Sequence, residues 1–264
     1  MEANDYTQVK ASIKRTLNID LEHYKDEQMK RRLDSWLVRV HAETWKDYFN
    51  LLSSDGTELE RFRNYLTINV TEFFRDPARW DLVRQDILPY LIKNSKESHQ
   101  ISGLKFWSAG CSIGTEAYTM AIMMDESAPT QRYSILATDL DRGALLKARA
   151  RGPYTQDDIR SMSSLQRHKY ITAAAPFYAK ENLQKNVHFQ EQNLITDRFD
   201  NGFDLIVCRN VVIYFTTETK DVLYAKFSAA LRPGGVLFVG GTEIISGATK
   251  FGLQNFGISF YKKV

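Results

Sequence analysis

The segment Phe106–Ala121, FWSAGCSIGTEAYTMA, constrains the fold of this chain more than any other segment. Two apolar residues lead into a turn of small residues that holds two glycines, and a run with helical spacing follows. The segment therefore predicts a strand, a tight turn and the start of a helix. Glycine in such a turn lets the backbone approach a bound nucleotide closely, because glycine has no side chain.

The sequence after residue 103 alternates between strand patterns and helix patterns. Phe203–Cys208, FDLIVC, is apolar throughout, which is typical of a strand covered on both faces of a parallel sheet. The alternation predicts an α/β fold with a doubly wound, mostly parallel, Rossmann-like sheet. The other predicted elements are strands at Leu104–Ser108, Tyr133–Thr138, Val236–Val239 and Ile258–Tyr261, helices at Thr115–Glu126, Ala144–Arg151 and Thr217–Leu231, and a turn at Pro233–Gly235.

The alternation is interrupted over residues 153–190, where we expect a short antiparallel β insertion built from Pro176–Lys180 and Asn186–Phe189. Residues 1–76 show helical periodicity and predict a small all-helical domain. A linker helix and loop are expected over residues 77–102, with a break of the helix at Pro89 and a loop at Lys93–Gln100. Residues 103–264 then form the nucleotide-binding domain. The helical stripes in the first domain are Val9/Ile13/Leu17, Met29/Leu33/Trp36/Leu37/Val40, Trp45/Tyr48/Phe49/Leu52 and Leu59/Phe62/Leu66/Val70.

Composition excludes several classes of protein. The net charge of +3 is too small to indicate a nucleic-acid partner. The two cysteines, Cys111 and Cys208, form neither a disulfide framework nor a zinc-binding pattern, and we expect both to be buried. The polar N-terminus is not a signal peptide, and no apolar run approaches the ~20 residues of a membrane span. We therefore expect a cytoplasmic protein without membrane insertion or a bound metal, and no feature requires an oligomer.

Polar residues follow the predicted strands at the edge where open α/β sheets bind ligands. Asp139 ends the second strand and is placed to accept hydrogen bonds from ribose hydroxyls, and Asn193–Leu194 suggests adenine recognition. The patterns that bind a pyrophosphate or triphosphate, GxGxxG and GxxxxGK[ST], are absent. This combination favours S-adenosylmethionine over NAD or ATP. The remaining candidates at this edge are Gly110, Glu116, Arg209 and Asn210.

Taken together, the motifs resemble the CheR-type chemotaxis receptor glutamate O-methyltransferases. The segments that carry the likeness run in one order along nearly the whole chain: NVTEFFR (69–75), CSIGTEAY (111–118), ATDLD (137–141), QNL (192–194), CRNVVIYF (208–215) and GGTE (240–243). The resemblance implies that Tyr214 lies beside the transferred methyl group. Tyr214 and Arg209 are the candidates near the substrate carboxylate, and Arg75 is a further catalytic candidate. It also implies contacts with S-adenosylmethionine by Asn69, Thr71, Arg75, Glu116, Asp139, Asn193, Leu194, Arg209 and Asn210.

The resemblance further implies methyl transfer to glutamate side chains of chemoreceptors, for adaptation in chemosensory signalling. The products are glutamate methyl esters and S-adenosylhomocysteine. The partner would be the cytoplasmic helical domain of a membrane chemoreceptor, with its acidic helices met by the basic stripe Arg31, Arg32 and Arg39. The turn differs from the family pattern at Ile113, Thr115 and Ala117. An Ala173–Ala175 run replaces the loop with which some members dock a receptor's C-terminal pentapeptide, so we expect pentapeptide-independent recognition.

Two other interpretations remain open. In the first, the chain is a methyltransferase for another substrate. In the second, it is a catalytically silent module that senses S-adenosylmethionine and binds a signalling protein. Methyltransferases of nucleic-acid bases commonly carry an Asp/Asn-Pro-Pro-aromatic tetrad after the fourth strand. Here RNVVIYF, without proline, follows that strand.

Overall fold

The computed structural model describes residues 3–67, 69–97 and 103–264. The chain divides into two compact units. One comprises the residues up to 68 together with 213–221, and the other comprises residues 69–212 and 222–264. None of the helices in the described ranges combines the length and the apolar character that a membrane span requires.

The described residues of the first unit form four α-helices, which confirms the predicted small all-helical domain. They are α1 (Ala3–Leu17), α2 (Asp26–Arg39), α3 (Trp45–Ser54) and α4 (Gly56–Leu66). Helices α3 and α4 begin at side chains that accept backbone N–H groups: Thr44 accepts from Asp47, and Asp55 accepts from Thr57 and Glu58. The predicted stripe of α4 extended to Val70, but α4 ends at Leu66 and Val70 is 69% exposed.

Aromatic residues fill the core of the helical unit. Trp36, Tyr48 and Phe62 are fully buried, and the rings of Trp36 and Phe62 stack with 5.7 Å between their centroids. The indole N–H of Trp36 donates to the hydroxyl of Tyr48 at 2.7 Å, and that hydroxyl donates to Glu58 Oε1 at 2.8 Å. The polar atoms of these buried rings therefore have partners, as a stable core requires.

The second unit is built on a seven-stranded sheet with the order β3-β2-β1-β4-β5-β7-β6. Strands β1 to β5 pair in parallel, whereas β7 runs antiparallel to β5 and to β6. The doubly wound, mostly parallel sheet is confirmed. The strands are β1 (Leu104–Ala109), β2 (Tyr133–Asp139), β3 (Val187–Glu191), β4 (Phe203–Cys208), β5 (Leu231–Val239), β6 (Leu253–Gly257) and β7 (Phe260–Lys263).

Strand β4 is buried at every residue, as its apolar run predicted. In the ranges that the structure describes, six α-helices follow Asp76 in the chain. The helices are α5 (Pro77–Leu82), α6 (Leu88–Glu97), α7 (Thr115–Ser127), α8 (Arg142–Arg149), α9 (Ser164–Tyr170) and α10 (Thr217–Ala230), of which α10 begins in the first unit. Helix α7 is buried from Ala117 to Met124 because it packs in the core of the sheet.

Two proline segments differ from the sequence-based expectation. A π-helical turn, Val83–Ile87, joins α5 to α6, and the helix continues through Pro89 to Glu97. A proline directly after such a turn is tolerated because the hydrogen-bond register changes there. Pro233–Gly235 lies inside β5, where an irregular register opposite β4 accommodates the extra residues. The predicted helix break at Pro89 and the predicted turn at Pro233–Gly235 are therefore wrong. The predicted loop at Lys93–Gln100 is wrong for residues 93–97, which are helical, and residues 98–100 lie outside the described residues.

The segment at 153–190 also differs in part. Val187–Glu191 is β3 and pairs in parallel with β2, so Asn186–Phe189 does not belong to an antiparallel insertion. Antiparallel pairing in this segment consists of single bridges, Tyr154 with Phe177 and Ile171 with Ala179. Sequence analysis missed β6, whose residues are mostly exposed and carry little apolar pattern.

Candidate cofactor-binding site

Asp139, at the carboxyl end of β2, is the central acceptor of the site. Its Oδ2 accepts the N–H of Ser112 at 2.7 Å, and its Oδ1 accepts the N–H of Asp141 at 2.9 Å. A carboxylate has about four acceptor positions, and the backbone of Leu140 also donates to this group, so capacity remains for a further donor. Burial raises the pKa of Asp139 to about 6, against the effect of these three backbone donors. These properties fit a carboxylate that also accepts a ribose hydroxyl group.

A chain of side-chain hydrogen bonds closes around this carboxylate. The hydroxyl of Ser112 donates to Asn69 Oδ1 at 2.7 Å, and Asn69 Nδ2 donates to Asp141 Oδ2 at 2.5 Å. Asp141 is buried and caps α8 by accepting the N–H of Ala144 at 2.9 Å. Sequence analysis missed Ser112 and Asp141. Asp141 could have been predicted, because an aspartate directly before a helix is a capping signal. No local pattern predicts the role of Ser112.

Gly110 lies in the turn after β1 with a φ of +87°. Its N–H donates to the carbonyl of Thr138 at 2.8 Å, which ties the turn to β2. A Cβ at this position would lie 2.5 Å from Cγ2 of Val211. The requirement for glycine therefore follows from the backbone conformation and from the packing of Val211.

Glu116 lies in the first turn of α7 and accepts the hydroxyl of Ser108 at 2.7 Å. Burial raises the pKa of Glu116, and the positive charge of Arg209 opposes that increase. The hydroxyls of Thr71 and Thr115 lie 2.6 Å apart at the start of the same helix. The structure thus brings Thr71 and Glu116 to one end of α7.

Arg209, directly after β4, has a side chain that is only 3% exposed. Its Nη1 donates to the carbonyl of Arg75 at 2.8 Å, and its Nη2 lies 3.5 Å from Asp76 Oδ2. The guanidinium lies 4.7 Å from the ring centroid of Phe238 and 5.7 Å from that of Trp80. Both terminal nitrogens thus hold the backbone and side chain at 75–76, whereas the buried Nε has no hydrogen-bond partner in the described part of the chain.

The backbone around Arg75 is held in an unusual conformation. Phe74 and Asp76 have φ values of +52° and +62°, a region that non-glycine residues rarely occupy. The N–H of Phe74 donates to Thr119 Oγ1 at 3.0 Å, and Arg75 Nη1 donates to the carbonyl of Val70 at 2.5 Å. Such strain persists only where the surroundings determine it, and it is common at binding sites.

Asn210 follows Arg209 with a φ of +58°. Its N–H donates to Glu243 Oε2 at 3.3 Å, and the N–H of Gly240 donates to the same oxygen. The buried Glu243 therefore joins the loop after β4 to the loop after β5. This gives a structural function to the glutamate of the GGTE segment.

The loop after β3 carries Asn193 and Leu194 and lies beside the end of β2, because the N–H of Gln192 donates to the carbonyl of Asp139 at 2.9 Å. Asn193 Oδ1 accepts the N–H of Ile195 at 2.9 Å. Gln192 is buried, and its Oε1 has no hydrogen-bond partner among residues 3–67, 69–97 and 103–264. A buried acceptor without a partner fits a site where a ligand supplies a donor.

Comparison with known proteins decides the family. The family model "CheR methyltransferase, all-alpha domain" matches residues 4–67, and the model "CheR methyltransferase, SAM binding domain" matches residues 69–257. The chain belongs to the CheR methyltransferase family. It is therefore an S-adenosylmethionine-dependent methyltransferase, and the carboxylate, amide and backbone groups at the sheet edge fit that cofactor.

Curated relatives agree with this assignment along almost the whole chain. The chemotaxis protein methyltransferase of Listeria monocytogenes serovar 1/2a is 40% identical over 260 residues, which cover 98% of this chain and 97% of the relative. The chemotaxis protein methyltransferase of Borreliella burgdorferi is 35% identical over 239 residues, which cover 87% of this chain and 84% of the relative. The likeness thus includes both the helical and the sheet-containing parts of the CheR chain.

The remaining candidates of this CheR-family chain belong to the helical unit. Arg31 and Arg39 are exposed on α2, whereas Arg32 is half-buried. The guanidinium of Arg32 lies 4.6 Å from the ring centroid of Tyr65 and donates to the carbonyl of that residue. The structure thus separates Arg32 from the basic stripe. Tyr214 is partly buried in the same unit, where its carbonyl accepts the N–H of Lys25 at 2.9 Å.

Proposed function

We propose that this chain transfers a methyl group from S-adenosylmethionine to glutamate side chains of chemoreceptors. The products are glutamate methyl esters and S-adenosylhomocysteine. The observation that carries the proposal is the buried Asp139 carboxylate, held at the sheet edge by the backbone N–H groups of Ser112, Leu140 and Asp141. Membership of the CheR family and the likeness to chemotaxis protein methyltransferases support the choice of substrate class.

The residues of the second unit divide the binding task. Asp139 accepts the ribose hydroxyls, and the loop at Asn193–Leu194 binds the adenine. The methionine part of the cofactor is assigned to the residues at the start of α7 and around the ends of β1 and β4. These are Asn69, Thr71, Arg75, Gly110, Glu116, Arg209 and Asn210.

The chain itself has little acid–base chemistry to perform. The bound cofactor supplies a methyl group on a positively charged sulfur, which is already an activated electrophile. A glutamate carboxylate has a reference pKa of ~4.3 and is ionised at neutral pH, so no general base is needed. The protein contributes alignment, which is worth roughly 7–11 kcal/mol. Tyr214 orients the carboxylate through its hydroxyl, and Arg75 is the second residue assigned to this task.

The proposed partner is the cytoplasmic helical domain of a membrane chemoreceptor. Arg31 and Arg39 present exposed positive charge on α2, which complements acidic helices and increases the rate of encounter. We further propose that the protein acts in the cytoplasm as a monomer and without a receptor pentapeptide.

One assay tests the activity. The protein is incubated with methyl-labelled S-adenosylmethionine and receptor-containing membranes, and the products are then treated with base. Carboxyl methyl esters release volatile labelled methanol, whereas N-methyl groups do not. Methanol that depends on both the enzyme and the receptor is expected. Base-stable label would indicate another substrate, and binding of S-adenosylhomocysteine without any labelled product would indicate a silent module.

A further inference from the structure

Lys226, on α10, makes a concentrated set of contacts with the loop after β3. Its Nζ donates to the carbonyl of Leu194 at 2.7 Å, to that of Asp197 at 2.8 Å and to that of Ile195 at 3.1 Å. The ammonium also lies 4.1 Å from the ring centroid of Phe199. A lysine ammonium has three N–H donors, so this loop engages all of them.

The geometry of the loop explains why it needs this cation. Three carbonyl groups from a stretch of four residues point toward one position, and carbonyl dipoles so arranged repel one another unless a donor lies between them. The loop is otherwise closed by its own polar groups: the N–H of Asn193 donates to Asp197 Oδ2 at 2.8 Å, and the N–H of Asp197 donates to the carbonyl of Asn193 at 2.9 Å. Helix α10 thus provides the external support for this turn.

This support has a consequence for the ligand-binding side of the loop. Asn193 Oδ1 accepts the N–H of Ile195, which determines the direction that the side-chain amide faces. The carbonyl of Ile195 is in turn bound by Lys226 at 3.1 Å. The position of the ammonium therefore controls the conformation of the two residues assigned to adenine.

We propose that Lys226 is a positioning residue for adenine recognition, which acts by holding the Asn193–Leu194 loop from behind rather than by touching the cofactor. This inference rests on the proposed use of S-adenosylmethionine. Lys226 lies on a helix outside the cofactor motifs, and the inference gives it part of the enzyme's selectivity for the purine base.

Lys105 provides a matched control. Its Nζ donates to the carbonyl of Asn201 at 3.1 Å and lies 4.4 Å from the ring centroid of Phe203, so it also combines a carbonyl with an aromatic ring. It lies near the amino end of β1, at the opposite edge of the sheet from the site. Lys105 Nζ also lies 3.6 Å from Asp200 Oδ2, so all these contacts are at the end of the loop that leads into β4. Lys105→Met therefore removes a carbonyl contact and a ring contact without touching residues 193–197.

The test measures the dissociation constants of S-adenosylhomocysteine and S-inosylhomocysteine, in which a carbonyl replaces the 6-amino group, together with thermal unfolding. Lys226→Met is expected to weaken S-adenosylhomocysteine binding by about tenfold and to weaken S-inosylhomocysteine binding much less. Lys105→Met is expected to leave both dissociation constants at their wild-type values. In turnover, the KM for S-adenosylmethionine rises in Lys226→Met while kcat changes little.

Two results overturn the inference: wild-type binding of S-adenosylhomocysteine by Lys226→Met, or an equal loss of affinity for both ligands. If Lys226→Met does not fold, Lys226→Arg decides in the same way, because its planar guanidinium cannot reproduce three donors on one nitrogen. Failure of the wild-type protein to bind S-adenosylhomocysteine would instead contradict the proposed function.

Discussion

The side-chain amide of Asn69 donates to Oδ2 of Asp141 over 2.5 Å, although the two residues are 72 positions apart in the chain. Asp141 is buried and caps α8, and its N–H binds the carboxylate of Asp139. The relationship couples residue 69, a cofactor candidate of the NVTEFFR segment, to Asp139, the proposed ribose acceptor. Asp139 and this segment are therefore expected to form one cooperative structure.

A double-mutant cycle tests this coupling. Asn69→Ala and Asp141→Ala each remove one side of the hydrogen bond, and a bond to a charged group contributes about 1.5–3 kcal/mol. The free energy of unfolding, measured by urea denaturation, is expected to show a coupling energy of that order between the two variants. The control cycle pairs Asn69→Ala with Lys105→Met, for which additive effects are expected. Additivity in the first cycle would show that the contact has no energetic role.

Cofactor affinity is expected to decrease as the pH falls through the pKa of Asp139, which is about 6. In the proposed complex, ribose hydroxyls donate to the ionised carboxylate, so binding of S-adenosylhomocysteine at pH 5 is expected to be about tenfold weaker than at neutral pH. Isothermal titration calorimetry across this range measures the change. Asp139→Asn is expected to bind weakly at all pH values and to lose the dependence. A pH profile unchanged in Asp139→Asn would assign the titration to another group.

The same pKa shift affects stability in the opposite direction from cofactor affinity: stability decreases as the pH rises. The folded-state pKa is raised above the ordinary value of 3.8, so the folded protein holds more protons than the unfolded chain between about pH 4 and pH 6. The contribution of Asp139 to stability is therefore present at low pH and is lost as the pH rises through 6. The unfolding free energy of the wild type minus that of Asp139→Asn is expected to decrease as the pH rises from about 4 to about 6.

Charge reversal on α2 is expected to distinguish two neighbouring arginines. Arg31→Glu removes an exposed charge, so receptor methylation slows while S-adenosylhomocysteine affinity and stability stay at wild-type values. Arg32→Glu breaks the contact with Tyr65 and lowers the free energy of unfolding by roughly 1–3 kcal/mol. Lys185→Glu, an exposed lysine of the second unit, is the control with the same change in net charge. If Lys185→Glu slows receptor methylation equally, the effect of Arg31→Glu comes from net charge and not from the position of Arg31.

Gly110→Ala is expected to destabilise the protein by more than its backbone conformation explains. Gly110 and Gly202 both have positive φ, at +87° and +77°, but a Cβ at Gly202 meets no atom within 4 Å. The Cβ at Gly110 overlaps Val211, so Gly110→Ala should cost roughly 1–3 kcal/mol more than Gly202→Ala in chemical denaturation. Adding Val211→Ala is expected to recover most of that difference. Equal costs for the two glycines would show that Val211 moves aside freely.

Several elements follow directly from local pattern. Phe203–Cys208 forms the buried strand that its apolar run predicts, and the apolar stripe of α2 forms the predicted helix. These predictions succeed because burial of apolar side chains with a fixed period is a property of the segment itself. The strand-end positions of Asp139 and Asn193 follow in the same way, since parallel strands bring their carboxyl ends to one edge.

Other features depend on partners far away in the chain. The apolar content of Val187–Glu191 does not tell whether it pairs with β2 or within an insertion, and only the sheet shows the parallel pairing. Pro89 and Pro233 lie inside regular elements because a π turn and an irregular strand register accommodate them. The sequence does not distinguish Arg31 from Arg32. In the structure Arg31 is exposed, whereas Arg32 packs on the ring of Tyr65.

The amino-acid sequence by itself determined the strand–helix order, the all-helical first domain, the family motifs and the edge of the sheet at which the cofactor candidates collect. The tertiary structure alone decided that Arg209 holds the backbone of Arg75, that Val211 requires glycine at position 110, and that Lys226 supports the loop of Asn193. The physical reason is that periodicity and turn chemistry act over a few neighbouring residues. Hydrogen bonds and packing between segments depend instead on which distant side chains the fold brings within reach.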